Sequence, residues 1–357
     1  MIALLKKQKG GSGLLNVIKK YTVWFFYEIK NKCIRKYVQH KNKKINPEEK
    51  YAVYKARPTK VKGRALMLPP EVNQIITQKI NAGEPFWAGR MGYTEMDFLR
   101  QVIEHRFIPR LDYREDALNK LCLLSGFFPN SFDLGERFAD LYLQDCQGID
   151  MQGFWGLYME DYLLSQYQNT KYWTQLNWLE PWNMYLHPES DQKPWTAALK
   201  GKKVLVVHPF ADSIEKQYRE NREKIFEKVF EADDILPEFE LLTIKAVQSL
   251  GGTGSDHYSD WFEALEWMKQ QCRKKEFDVA IIGCGAYGYP LAAEIKRMGK
   301  IAVHLGGAVQ LLFGIIGSRW ETEYKDFYQD VVNEYWVRPA AQEKPQCAGQ
   351  VENECYW

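Results

Sequence analysis

Residues 278–320 read DVAIIGCGAYGYPLAAEIKRMGKIAVHLGGAVQLLFGIIGSRW, and this stretch decides the fold. An apolar run, Val279–Ile282, meets Gly283, Gly285 and Gly288 in the spacing GxGxxG; a helical pattern from Pro290 to Met298 and a second apolar run at 301–305 follow. The order is strand, tight glycine turn, helix, strand. Glycines let a backbone approach a ligand closely, and the free N–H groups and positive dipole end of a helix start favour phosphate. The first expectation is therefore a nucleotide or nucleotide-sugar site.

A dinucleotide dehydrogenase is the usual owner of such a turn. It needs an acidic residue about 20 positions on to hold the ribose hydroxyls. Between Glu294 and Glu321 there is no Asp or Glu, which removes most of the force of that reading. The turn also arrives late in the chain, so it cannot open a two-halved dinucleotide domain. Tight helix packing is the alternative use for Gly285 and Gly288, and an oxidoreductase or methyltransferase rests on the glycine spacing alone.

Working outward, two other apolar runs end in chemistry-bearing residues. Residues 85–89 read as a short buried strand that empties into Arg90-Met91-Gly92-Tyr93-Thr94-Glu95, with a helix following to about His105. An arginine leaving a strand can pair bidentately with phosphate, and a glutamate at a helix start can bind a metal or accept a proton. The competing use of Glu95 is to complement the helix dipole with Arg90 as its ion-pair partner. Residues 203–207 form a clean β run that stops at His208-Pro209-Phe210-Ala211-Asp212-Ser213, before a charged helix expected over 214–231. Asp212 or Ser213 can cap that helix, while His208, and His304 beside Gly306 and Gly307, can serve acid–base work or phosphate neutralisation, or simply sit as satisfied core histidines.

Strands at 239–246 and helices at 70–80 and 261–273 complete an alternating pattern, which predicts an α/β fold with a Rossmann-like, mostly parallel sheet and flanking helices. In such sheets sites gather at the carboxyl ends of strands. Residues 65–337 read as the globular domain, with a helical and Trp-rich insertion at about 113–200 and a tail at 338–357. The segment 171–196, crowded with Trp and Pro, reads as a loop packed on the surface or a lid over a ligand.

The 357 residues carry a net charge of only +2, which argues against nucleic-acid binding across the chain. Residues 1–64 nevertheless hold most of the local imbalance, and 12–40 mix lysines with large apolar residues. That segment reads either as a basic amphipathic helix resting on anionic lipid or as a helix docked on the domain's own core. Seven dispersed cysteines without a CxxC pair suit a reducing cytoplasm, and no apolar run reaches the length of a membrane span, so the expected location is cytoplasmic, at the inner face of the membrane if the basic helix binds lipid.

With these segments in view, the chain resembles bacterial proteins of surface-polysaccharide gene clusters that carry a GT-D-like glycosyltransferase domain. The resemblance rests on Arg90-x-Gly92-x-x-Glu95, HPFADSI from His208, IKAVQS at 244–249, IIGCGAYGYPLAA from Ile281, HLGGAVQLLFGI from His304, and the closing CYW. It implies a GT-D fold that takes a nucleotide-sugar donor, UDP-linked above all, and a glycan or lipid-linked acceptor. It also implies an Asp-x-Glu pair that engages Mn or Mg and the diphosphate; Glu95 falls on the Glu, but Tyr93 stands at the Asp. The metal would then rest on Glu95 with a second carboxylate such as Asp212, or the diphosphate would be met by Arg90 and helix starts without metal. In this reading Glu95, Asp212 and His208 are the catalytic candidates. Arg90, Gly92, Gly283, Gly285, Gly288, His304 and Gly306 surround the nucleotide. The alternative is a catalytically inactive nucleotide-sugar-binding or scaffolding protein of an assembly complex.

Overall fold

A computed structural model describes residues 11–42, 60–61, 64–107, 114–157, 160–345, 348–351 and 354–357. The first ten residues, most of the charged arm before residue 60, and Cys347 lie outside the described residues.

Seven strands form one sheet: β1 (Phe86–Arg90), β2 (Met151–Phe154), β3 (Tyr172–Gln175), β4 (Lys203–His208), β5 (Glu240–Lys245), β6 (Val279–Ile282) and β7 (Ile301–His304). Their order is β3-β2-β1-β7-β6-β4-β5, and every pairing is parallel. The expected α/β fold is therefore present, with an entirely parallel sheet. Central strands show why: β6 is apolar at every position and β7 at all but His304, and both are buried throughout, as parallel strands covered by crossover helices must be.

Alternation sorts the side chains into two cores. Trp87, Leu205, Val207, Ala280, Ile282 and Ala302 point to one face, where helices α3 (Tyr93–Phe107), α4 (Arg114–Ser125), α5 (Phe132–Asp145), α6 (Glu160–Tyr167), α8 (Trp261–Arg273) and α9 (Gly288–Arg297) supply Leu99, Leu121, Phe138, Leu163, Met268 and Leu291. Phe86, Ala88, Val204, Val206, Ile281 and Val303 point to the other, against α2 (Pro69–Ala82), α7 (Ala211–Asn221) and residues from 311 onward. Helix α1 (Gly11–Asn42) joins the first core through Trp24.

Three local readings change. Residues 151–154 and 172–175, inside the stretch read as helical and Trp-rich, are strands that extend the sheet beyond β1. The charged helix is shorter than its pattern suggested: α7 ends at Asn221, and turns follow to residue 229. The Trp-rich segment is not a surface loop or lid, because Trp182 and Trp195 are buried in the second core. Residues 338–357 also pack there through Ala348, Val351, Cys355 and Trp357.

The tail carries one further fold contact. Buried Glu343 accepts the N–H groups of Asp212 at 2.9 Å and Ser213 at 3.3 Å, and the Ser213 hydroxyl, so it caps α7 from a distance in sequence. Its loss leaves buried donors unpaired, at about 2 kcal/mol. Glu343→Ala is expected to lower the unfolding free energy by that amount in urea titration; an unchanged midpoint would show that the cap contributes nothing.

Candidate functional site

The carboxyl ends of β1, β4, β6 and β7 open into a cleft of about 430 Å³ lined by Arg90, Glu95, His208, Gly283, Gly285, His304 and Gly306. Residues from four separated segments of sequence are thereby brought together. The strand order explains the meeting: β1 pairs with β7, β7 with β6 and β6 with β4, so their ends are adjacent.

Glu95 sits in the first turn of α3 and is 4% exposed. Gly92 makes room for it, since a β-carbon there would fall 1.9 Å from Glu95 Oε2. Thr94 donates its hydroxyl to Glu95 Oε2 at 3.1 Å, and Thr94 Oγ1 in turn bonds Ser125 Oγ. Burial pushes the carboxyl's pKa up from its ordinary value; its own backbone N–H and the Thr94 and Ser125 hydroxyls pull the other way. The result is a carboxyl held in a low-dielectric site by neutral donors, the arrangement that tunes an acid–base group toward neutral pH.

Arg90 is not the partner of Glu95. Its guanidinium meets Glu180 Oε1 at 3.2 Å and the Leu176 carbonyl at 3.4 Å, and also donates to the Leu305 carbonyl. Both members of this ion pair are about nine-tenths buried. Arg90 thus ties the 176–180 turns and the end of β7 to β1. Glu180 was missed in the sequence because it lies 90 residues from Arg90 in a segment dominated by Trp and Pro.

Burial lowers both histidines to a pKa of about 3, and the Arg90 guanidinium adds to the effect at His304. His208 Nδ1 accepts the Phe210 N–H at 3.0 Å, which leaves the proton of the neutral ring on Nε2. The ring nitrogens of His304 make no well-formed hydrogen bond among the described residues. Gly288 faces that ring: a β-carbon would fall 2.3 Å from His304 Nε2. A β-carbon on Gly283 would fall 2.4 Å from the Gly306 carbonyl oxygen. Close packing thus accounts for two of the three glycines, while Gly285 occupies the left-handed region at φ 57°. The turn after Gly285 is fixed from beneath by Tyr287, stacked on Trp261 with ring centroids 5.1 Å apart and in hydrogen-bond contact with Ser249 at 2.9 Å.

Asp212 is placed elsewhere. It is exposed, pairs with Lys245 at 2.6 Å and does not line the cleft, because the first turn of α7 directs it outward beside the end of β5. Asp212 is therefore not a second ligand or base beside Glu95. Arg319 and Tyr356 line the cleft instead. Arg319 Nη1 donates to Tyr356 Oη at 3.3 Å, and its guanidinium lies 4.9 Å from the Tyr356 ring centroid. Burial raises the Tyr356 pKa; Arg319 opposes the rise and Glu95 adds slightly to it. The closing CYW was visible in the sequence, but no local pattern could show that it folds back to the strand ends.

The donor set does not fit a hard divalent cation. No group of three His, Cys, Asp or Glu residues suited to a metal occurs among the described residues. Of the two carboxylates that line the cleft among the described residues, Glu180 is paired with Arg90 and only Glu95 is left without a cation, and Tyr93, at the position of the implied Asp, is an exposed phenol packed edge-on to Trp155. Magnesium and manganese want several oxygen ligands, most of them charged.

No family model matches the chain, and no curated protein matches it. Among solved structures it is similar to a selenomethionine-substituted domain of unknown function 1792, at 12% identity and a TM-score of 0.40, covering 74% of this chain and 81% of that one. A second structure of that domain, described as having a distinct glycosyltransferase fold, is similar at 12% identity and a TM-score of 0.38, over 68% of this chain and 77% of that one. Likenesses of that size carry no argument about the site, which stands on its own geometry.

The Glu95 environment has a measurable sign. Its folded pKa lies above the unfolded one, so its contribution to stability is full below the unfolded pKa and is lost as pH rises through the folded pKa. Glu95→Gln cannot ionise and is expected to gain thermal stability relative to wild type between about pH 4 and pH 8. A melting-temperature difference that stays constant over that range would mean an ordinary carboxylate.

Proposed function

We propose that the cleft binds a nucleotide sugar and transfers its glycosyl group to an acceptor hydroxyl, with Glu95 as the base. The observation that supports this most is the division of labour between the two carboxylates: Glu180 is consumed by Arg90, and Glu95 is buried among neutral donors. In the ionised form Glu95 is a stronger base than an exposed glutamate. The acceptor oxygen bonds to the anomeric carbon, the bond from that carbon to the diphosphate oxygen breaks, the diphosphate leaves with the electron pair, and the hydroxyl proton passes to Glu95. Arg319 and the backbone of the 283–285 and 306–308 turns are the groups available to offset the departing charge. His208, neutral with its proton on Nε2, is a hydrogen-bond donor in this scheme rather than a cation. A GT-D-like enzyme of surface-polysaccharide assembly using a UDP-sugar is the specific form of this reading.

A second reading, nucleotide-sugar binding without transfer, is favoured by the poor fit of the cleft to a divalent metal. Donor turnover separates the two. Release of the nucleoside diphosphate from UDP-, GDP- and dTDP-sugars, or of CMP from CMP-sugars, with and without manganese, is expected for one donor class, and kcat/KM should rise with pH through the elevated pKa of Glu95. Glu95→Gln should lose at least about 100-fold in kcat while still showing a donor-induced thermal shift. Binding of a donor by wild type with no turnover across acceptors would leave the binding-only reading; a stronger response to NADH or S-adenosylmethionine than to any nucleotide sugar would overturn both.

A further inference from the structure

Helix α1 is held to the domain through Trp24, and on its opposite side a set of apolar side chains is exposed among the described residues. Trp24, 7% exposed, belongs to the first hydrophobic core. Leu15, Ile18, Phe25, Phe26 and Ile29 are between 45% and 70% exposed, and Val23 and Tyr21, at 47% and 41%, are exposed farther round the helix on either flank. At about 100° per residue the first five fall within an arc of roughly 100°, nearly opposite Trp24. Thr22, in the same arc, spends its hydroxyl on the Ile18 carbonyl at 2.8 Å, so it brings no unpaired donor to the face.

The charges around this stripe say what it fits. Exposed Lys19 and Lys30 border it on one side and Lys32 on the other, while Lys36 lies on its line two turns beyond Ile29. Lys32 is paired with Glu28 at 3.0 Å, on the flank of the helix and outside the stripe. No helix among the described residues is long and apolar enough to cross a membrane. An apolar face edged by lysines on a helix that does not span suits the boundary between acyl chains and anionic headgroups, with aromatic and aliphatic side chains inserted and ammonium groups at the phosphates.

We infer that α1 is a membrane-docking element that lays Leu15, Ile18, Phe25, Phe26 and Ile29 into an anionic bilayer surface, with the domain carried on its opposite side through Trp24. A lipid surface is favoured over a protein groove because exposed lysines stand along one flank of the apolar side chains, at Lys19 and Lys30, and on the line of the stripe beyond them, at Lys36, which a protein partner would have to match individually and a sheet of anionic headgroups matches at once. This inference does not depend on the chemistry of the cleft.

The test is co-sedimentation of the full chain with vesicles of pure phosphatidylcholine and of equal parts phosphatidylcholine and phosphatidylserine. Binding is expected only with the anionic vesicles and should weaken with added salt. Phe26→Asp with Ile29→Asp should bring it to background, and Lys19→Gln with Lys36→Gln should weaken it by roughly thirtyfold. Both double variants should keep the wild-type melting temperature, since all four positions are exposed. Equal binding to neutral vesicles, or binding indifferent to the Asp pair, would overturn the inference. So would a lipid-free dimer of the wild type that becomes monomeric in the Asp variant, because a second copy would then cover the face.

Discussion

Parallel strands can be joined only by crossovers, and that constraint places every strand's carboxyl end on one edge of the sheet. In this chain it brings Arg90, His208, Gly283 and His304 to one opening, although they are spread over more than half the sequence. The order in which β7 returns beside β1, with β6 and β4 next to it, makes the opening a cleft rather than a row. Everything proposed for the site follows from that adjacency, because no two of these four residues are close enough in sequence to form a local motif.

The inner side of the cleft is lined by buried side chains. His208, His304 and Glu95 are each pushed toward their neutral forms by burial. Arg90 and Glu180 are the exception, a buried ion pair that keeps its charges by holding them together. Such a pair adds little net stability, since desolvation offsets most of the attraction, but removing one member strands the other. Its place joining β1, the 176–180 turns and β7 suits a role in fixing the shape of the cleft. The glycines act alongside it. Gly92 admits the Glu95 carboxyl, Gly288 admits the His304 ring, and Gly283 admits the 306 turn, so each marks a close approach of protein to protein.

Much of this was legible in the sequence where the signal is local. The β6 and β7 runs and the helix at 261–273 are continuous or periodic apolar patterns, and their bounds follow from them. Strands β2 and β3 were not legible. Each is four residues long, and they consist of MQGF and YWTQ, with no β-branched run and with helices or turns close on either side. The strand ends named in the sequence meet around one cleft, but the contacts within it were not legible. Arg90 and Glu95 are five apart and look like partners, whereas Arg90 pairs with Glu180 and Glu95 takes hydroxyls from Thr94 and, 30 residues on, Ser125. Asp212 looked equivalent to Glu95, as a carboxylate in the first turn after a strand, and differs because α7 turns it toward Lys245. Helical phase at α1 was readable only in part, since Trp24 is indistinguishable in type from the exposed aromatics around it until the docking side is known.

The proposed chemistry depends on burial raising the pKa of one carboxyl, Glu95, above that of ordinary glutamates. Titration by ¹³C NMR of the protein labelled at the glutamate side-chain carboxyl, in wild type and Glu95→Gln, measures it directly. The resonance missing from the variant should titrate above the range of all exposed glutamates. If it titrates among them, Glu95 is an ordinary solvated carboxylate and the case for it as the tuned base of the cleft is gone.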